Sequence, residues 1–497
     1  MTALIIHGHF YQPPRENPWT GEVETEPSAA PYHDWNERIH SECYGPNAFA
    51  HIGTETAVIN NYRNISFNFG PTLLSWLRKK QQRTYNAIIA ADRESVAARA
   101  GHGNAIAQAY GHAILPLCNQ KDRLTQLVWG MEDFRFHFGR EPESIWLPET
   151  ACNTETLSLL IELGLRYVIL APEQAGQVRL RANQPWIDLR GGAVDTTLPY
   201  RYFHQDGSGR SIAIFFYNGE IARAIAFERA LSSSEGLVHR FIEVARTGHL
   251  VNVATDGETY GHHFKFGDLC LAHALEIEAK DEGFWITNYG EYLDQHPPEI
   301  EVQINLGPLD EGSSWSCAHG VGRWTRDCTC HTGGETGWNQ SWREPLRKAL
   351  NILRDDAAHH FEAAGAEIFR DPWATRNEYI KVLLDENSWS DFLKRHQKRA
   401  LTSKEENFAR NLLEIQRDSM LMFTSCGWFF SDLAGIETIQ IMRYAARLLE
   451  LQKLLGFDTP RTMFLEIMAT AKSNKPEKGN GAEIFLKYAE SQVPIVT

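Results

Sequence analysis

Across residues 1–310 the chain alternates short apolar runs with amphipathic stretches, and several of the apolar runs stop abruptly on a polar or acidic side chain. A strand followed by a helix, repeated, favours parallel pairing, because parallel strands need a crossover segment between them. Strands are expected at Ala3–His7, Ile65–Phe69, Ser144–Leu147, Arg166–Leu170, Ser211–Tyr217, Leu250–Ala254 and Glu301–Leu306. Helices are expected at Thr154–Leu163, with Asn153 as cap and Gly164 as stop, and at Glu235–Arg246 after a run of serines. The polar endings are His7 and His9, Asn68, Glu149 and Asp256. Ligands of parallel α/β folds meet the carboxyl ends of the strands, so these side chains are expected to share one site.

From about Gly312 the pattern changes to a glycine-punctuated, aromatic, cysteine-bearing loop followed by helices. Leu346, Ala349, Leu350 and Leu353 put one apolar stripe on Ser341–Glu362, and Ile436–Leu455 reads likewise. Ser473–Gly481 reads as a loop. The expectation is an α/β domain over 1–310 and a mainly helical domain over 311–497, in line with two or three domains for 497 residues.

A net charge of −14 disfavours nucleic acid and anionic membranes as partners. The first residues lack a basic segment and an apolar h-region, and no apolar run approaches the length of a membrane span. Eight mostly scattered cysteines suit a reducing compartment, so a cytoplasmic location is expected. The oligomeric state is not indicated.

Three segments carry chemistry. In Ser144–Thr150 an apolar strand runs through Pro148 into Glu149, which is either a reactive acid or a helix cap or ion-pair partner. In Val251–His263 a buried strand runs into Asp256, then Gly257 and Glu258, which is either a second reactive acid or an Asx turn. Two carboxylates on strand ends are what glycoside hydrolysis needs, one to protonate the leaving oxygen and one to attack or to activate water. At the start, His7 and His9 share one strand face. They can ligate a metal, bond sugar hydroxyls, or be buried structural histidines.

At these segments the chain resembles glycoside hydrolase family 57, whose members act on α-glucans and related α-linked sugars. The carrying residues are His7, His9, Gln12 and Pro13; Trp146, Leu147, Pro148 and Glu149; and Asp256, Glu258 and Gly261. A fourth element resembles Gly101–Leu117, with His112 in the histidine place and Asn104 where an acid is common. The resemblance implies an incomplete (β/α)7 barrel followed by a helical domain closing one side of the cleft. It implies Glu149 as nucleophile and Asp256 as general acid/base, with His7, His9, Gln12, His112, Trp146 and Glu258 in substrate binding. It implies no cofactor. Gly307–Asp355 resembles a Trp- and Cys-rich segment of one branch of that family.

Within that segment, Cys317, Cys328 and Cys330 lie close in sequence to His319 and His331. Cys317, Cys328, Cys330 and His319 make a set for a structural zinc; reduced thiols in a tight loop or a disulfide are the other readings. Trp315 and Trp324, with Trp338 and Trp342, either line a sugar cleft or pack the loop onto the α/β domain. The expected function is a retaining glycoside hydrolase or transglycosidase acting on α-linked oligo- or polysaccharides through a covalent glycosyl-enzyme. The alternatives are a metal-dependent polysaccharide deacetylase, for which residues 1–310 contain no His-x3-His, and a non-catalytic carbohydrate-binding protein.

Overall fold

The computed structural model describes residues 1–53, 58–180, 182–189 and 193–493. The last four residues of the expected helical domain lie outside the described residues.

Among the described residues seven strands follow one another in parallel, β1 (Ala3–Phe10), β2 (Ser66–Phe69), β3 (Ala107–Gln108), β4 (Ile145–Trp146), β5 (Tyr167–Leu170), β6 (Ser211–Phe216) and β7 (Leu250–Asp256), and the short strand Trp285–Ile286 also lies parallel to the start of β1. β1 pairs with β7 from Ala3↔Leu250 to His9↔Asp256 and, on its other edge, with β2 from His7↔Ser66 to Phe10↔Phe69. A single bridge, Phe67↔Ala105, leads from β2 towards β3. β3 pairs with β4, Ser144↔Tyr167 leads on to β5, and β5 pairs with β6. Every residue of β1 is buried, as suits a strand with neighbours on both edges and side chains packed on both faces.

Between β6 and β7 no ladder forms among the described residues. The free edge of β6 is taken instead by an antiparallel strand, Tyr200–Phe203. The strands meet again only past that point, where Asn218 N–H donates to Asn252 O at 2.7 Å and the Asn252 amide donates to Phe216 O at 3.2 Å. The strand expected at Glu301–Leu306 forms as Ile300–Ile304, but it belongs to this appended mixed sheet, parallel to Tyr200–Phe203 and antiparallel to Ala175–Arg179. Its apolar pattern could not tell a strand of the parallel series from one in an appended sheet.

The helices begin where their caps dictate. In α1 (Thr154–Glu162) the Asn153 side chain accepts from Thr156 N–H at 3.0 Å, and in α2 (Ser234–Ala245) Ser233 accepts from Gly236 N–H at 3.1 Å. The long helix α3 (Arg343–Ile368) runs on past the expected end at Glu362, because Ala363 to Ile368 hold no breaker except Gly365. It packs on α4 (Ser403–Leu421), which packs on α5 (Ile436–Leu454). These helices enclose a second apolar core that also takes in Trp324, Ala113, Ile114 and Ala151. The helical region therefore sits over the chain that follows β3 and β4, which is where Glu149 emerges. No helix among the described residues is long and apolar enough to cross a membrane.

Candidate functional site

Glu149 leaves β4 through a turn in which two consecutive non-glycine residues, Glu149 (φ 59°) and Thr150 (φ 51°), are left-handed. Such residues cost about 1–3 kcal/mol each and persist only where the surroundings fix them. Here the surroundings do. Thr150 Oγ donates to Gln174 Oε1 at 2.8 Å, Gln174 Nε2 donates to Thr150 O at 2.9 Å, and Trp315 N–H donates to Glu149 O at 3.0 Å. The turn aims the carboxylate at two donors, Trp315 Nε1 at 3.0 Å and Ser316 Oγ at 2.6 Å, both onto Oε2. Burial raises the Glu149 pKa, and these two bonds with the nearby Arg323 charge oppose the rise. Glu149 does not cap α1, since Asn153 does.

Asp256 is the last residue of β7, directly opposite His9. Its side chain is open to solvent although protein surrounds it closely. It makes no side-chain cap, so the Asx-turn reading falls. Its pKa is pushed well up by desolvation, and further by the charges of Glu258 and Glu149. The chain must turn here against the Phe10 ring, and a Cβ on Gly257 would lie 2.3 Å from that ring, so only glycine fits. Glu258 then turns inward. Its Oε1 accepts from Tyr44 OH at 2.5 Å and Tyr11 N–H at 3.0 Å, and burial outweighs both bonds to lift its pKa to about 7.

The histidines form a directed chain rather than a metal set. Burial depresses His7 and His112 to about 3 and His9 well below its usual value, so all three rings are neutral, each with one donor and one acceptor nitrogen. One assignment satisfies them all. Ser66 Oγ donates to His7 Nδ1 (3.0 Å), His7 Nε2 to Asn68 Oδ1 (3.0 Å), and Asn68 Nδ2 to His9 Nδ1 (2.9 Å). His9 Nε2 then donates to His112 Nε2 (3.2 Å), and His112 Nδ1 to Ser425 Oγ (2.7 Å). Trp146 lies under His7 and His9, stacked at 4.8 and 4.9 Å.

The other expected residues sit in differing surroundings. His7 and Trp146, expected to bind substrate, are 0% and 1% exposed; Trp146 stacks on His9 and His7 reaches it through Asn68. Gln12, expected to bind substrate, accepts from Arg15 at 3.0 Å. Asn104 is buried, donating to Tyr62 O and Arg63 O and accepting from Asn288, so it reads no hydroxyl. Trp324 does not line a cleft. It is fully buried in the helical core with its Nε1 on Ser425 O at 3.1 Å, because the loop folds its apolar side under α3. Trp315 is part-exposed and meets Trp146 edge-on at 5.2 Å. Cys317, Cys328, Cys330 and His319 do come together, with ligand atoms within 4.8 Å of one another. Sequence reasoning missed Ser316, Tyr44 and Ser425, whose hydroxyls had no motif to mark them.

A cleft of about 1350 Å³ opens beside the segment that holds Glu149, its wall including Gln174, Gln177, Gln303, Asn305, Trp315 and Ser316. It exceeds the usual few hundred to about 1,000 Å³ of a small-ligand pocket. The two acids lie outside its lining. Trp315 and Ser316 are the wall it shares with Glu149.

A family model described as Glycosyl hydrolase family 57 matches residues 3–305, well over half of the chain. The chain belongs to this family. A second model, described as a domain of unknown function (DUF3536), matches residues 338–495. Curated relatives include a 4-alpha-glucanotransferase of Thermococcus litoralis, 20% identical over 51% of this chain and 36% of that protein. An alpha-amylase of Pyrococcus furiosus is 22% identical over 56% of this chain and 39% of its own length. The chain thus spans well under half the length of these curated relatives. Among solved structures, an exo-type maltose-forming amylase from Pyrococcus sp. ST04 superposes with a TM-score of 0.66 at 16% identity, covering 99% of this chain and 92% of that one. A family 57 branching enzyme from Pyrococcus horikoshii gives 0.53 at 16% identity, covering 100% and 98%. These likenesses establish an α/β fold with a helical C-terminal region for this family 57 chain.

Proposed function

We propose that this protein is a retaining glycosidase or transglycosidase of α-linked glucan-type oligo- or polysaccharides, with Glu149 as nucleophile and Asp256 as general acid/base. The carrying observation is the contrast between the two strand-end acids. Glu149 accepts two side-chain hydrogen bonds that favour its ionised form, whereas Asp256 accepts none from capping donors and feels two like charges. Environments that push two carboxyls apart define the ionised nucleophile and the protonated acid.

Glu149 attacks the anomeric carbon while the Asp256 proton passes to the departing glycosidic oxygen, giving a glycosyl ester on Glu149. Asp256, now ionised, takes a proton from water or from a sugar hydroxyl, which attacks the ester and restores Glu149. Water gives hydrolysis and a sugar gives transfer. The cleft walled by Trp315 and the Gln174, Gln177 and Gln303 amides supplies ring-stacking and hydrogen-bonding surface for a chain of sugars. His9 and His112, neutral and nearly buried, hold the floor beside Asp256.

In this reading the seven parallel strands are the incomplete (β/α)7 barrel, open between β6 and β7, over residues 1–310. Residues 311–497 are the helical domain that covers one side of the cleft. Eight free cysteines fit a reducing cytoplasm. Deacetylase chemistry is less well supported, because among the described residues the one group of His, Cys, Asp and Glu suited to a metal includes neither acid and neither His7 nor His9. The test is incubation with a panel of α-linked oligosaccharides, following product size and anomeric form by NMR. Products that first appear as the α-anomer are expected; first appearance of the β-anomer from an α-linked substrate overturns the double displacement.

A further inference from the structure

The segment that supplies the two donors to Glu149 runs straight into the cysteine cluster: Trp315 and Ser316 are followed directly by Cys317. Cys317 Sγ lies 3.8 Å from both Cys328 Sγ and Cys330 Sγ, and Cys330 Sγ lies 3.4 Å from His319 Nδ1. All three thiols are free. Thiolates about 2.3 Å from a zinc ion at tetrahedral angles stand about 3.8 Å apart, and a thiolate and an imidazole nitrogen about 3.5 Å apart. These three separations match a closed structural site, and all four donor atoms lie within 4.8 Å of one another.

Charge gives a second, independent observation. Arg343 is fully buried beside the cluster, its Nη1 donating to Cys330 O at 2.7 Å and lying 3.9 Å from Cys328 Sγ. No carboxylate forms an ion pair with it among the described residues, and its Nε and Nη2 have no hydrogen-bond partner. A buried guanidinium without a counter-charge is strongly unfavourable. Three thiolates and a neutral imidazole around a divalent zinc carry a net charge of −1, which is the counter-charge Arg343 lacks.

We infer that Cys317, His319, Cys328 and Cys330 hold one structural Zn²⁺, and that this ion pins the Trp315–Ser316 segment against Glu149. Soft thiolate donors in a tetrahedral set select zinc over harder cations. The loop carries little regular structure beyond a short turn at Gly322–Trp324, so the ion holds it together with side-chain anchors such as Trp324 Nε1 on Ser425 O. The positioning half of the inference rests on the glycosidase reading; the metal site does not.

The test starts with the full chain purified without chelator or metal-affinity resin. Elemental analysis is expected to give one zinc per chain, lost in Cys330→Ser and His319→Ala and kept in Cys118→Ser. If those variants fail to fold, the wild-type protein is stripped with a chelator and refilled with Co²⁺. Intense visible bands of tetrahedral cobalt with a thiolate charge-transfer band support the site. Absence of zinc together with a featureless cobalt spectrum, or titration of only one free thiol among the three cysteines, overturns it. Amide hydrogen exchange reads the pinning: the Trp315 N–H, bonded to Glu149 O, is expected to lose protection on zinc removal while amides within α3 do not. Unchanged protection at Trp315 overturns the pinning. Neither measurement uses a sugar, so a failed activity screen and a failed metal site are told apart.

Discussion

The ends of β4 and β7 each present one acid, yet the protein treats the two oppositely. Glu149 is 9% exposed and gripped by Trp315 and Ser316, while Asp256 stands open to solvent with Glu258 two residues on. Desolvation raises both carboxyls, but two hydrogen bonds and the Arg323 charge restrain the rise at Glu149, while the charges of Glu258 and Glu149 add to it at Asp256. The lesson is that role follows from the loop each strand end meets and not from the acid itself.

The hardest break is removal of either acid. Glu149→Gln and Asp256→Asn are each expected to lower kcat by at least 10²–10⁴-fold with the thermal melt retained. A Glu149→Gln protein keeping more than about a hundredth of the activity would remove it as nucleophile.

Ser316→Ala attacks the asymmetry more gently. A hydrogen bond to a charged group contributes about 1.5–3 kcal/mol, or about one to two pH units, so the acidic limb of kcat/KM should move up by that amount. An unmoved limb would mean that another group sets it.

Glu258→Gln removes the like charge beside Asp256, so the alkaline limb should fall to lower pH. The same variant tests stability. The Glu258 pKa rises from 4.5 to about 7 on folding, so its protonated form is the one the fold favours. Its contribution is complete below about 4.5 and is lost as pH rises through 7. In thermal melts the variant should therefore gain on wild type across that window and run level with it below. The smallest effect on turnover is expected from Trp324→Phe. It removes one of the two donors to Ser425 O, the Trp428 N–H being the other, and costs about 0.5–1.5 kcal/mol of stability, with kcat/KM unchanged.

Much of this was readable in the chain itself. Strand ends at His9, Glu149 and Asp256 follow from apolar runs that stop on polar groups, and Asn153 announced α1. What escaped were contacts made across long sequence separations. Ser316 looks like any loop serine until the fold sets it on Glu149, and Trp324 looks like Trp315 until one is packed beneath α3 and the other left at the cleft. Asn104, which occupies an acid's place in a motif, proved to hold backbone carbonyls. Period and propensity describe one segment at a time, so they cannot report which side of a loop faces a helix.

The turn at Glu149 and Thr150 has a consequence of its own. Both residues sit in a conformation that free chains seldom visit, and the groups that hold them there, Gln174 and Trp315, arrive from later stretches of the chain. A nascent protein therefore finishes β4 well before it can set the Glu149 turn, which is completed late in folding, after the loop that follows Ile300–Ile304 has docked.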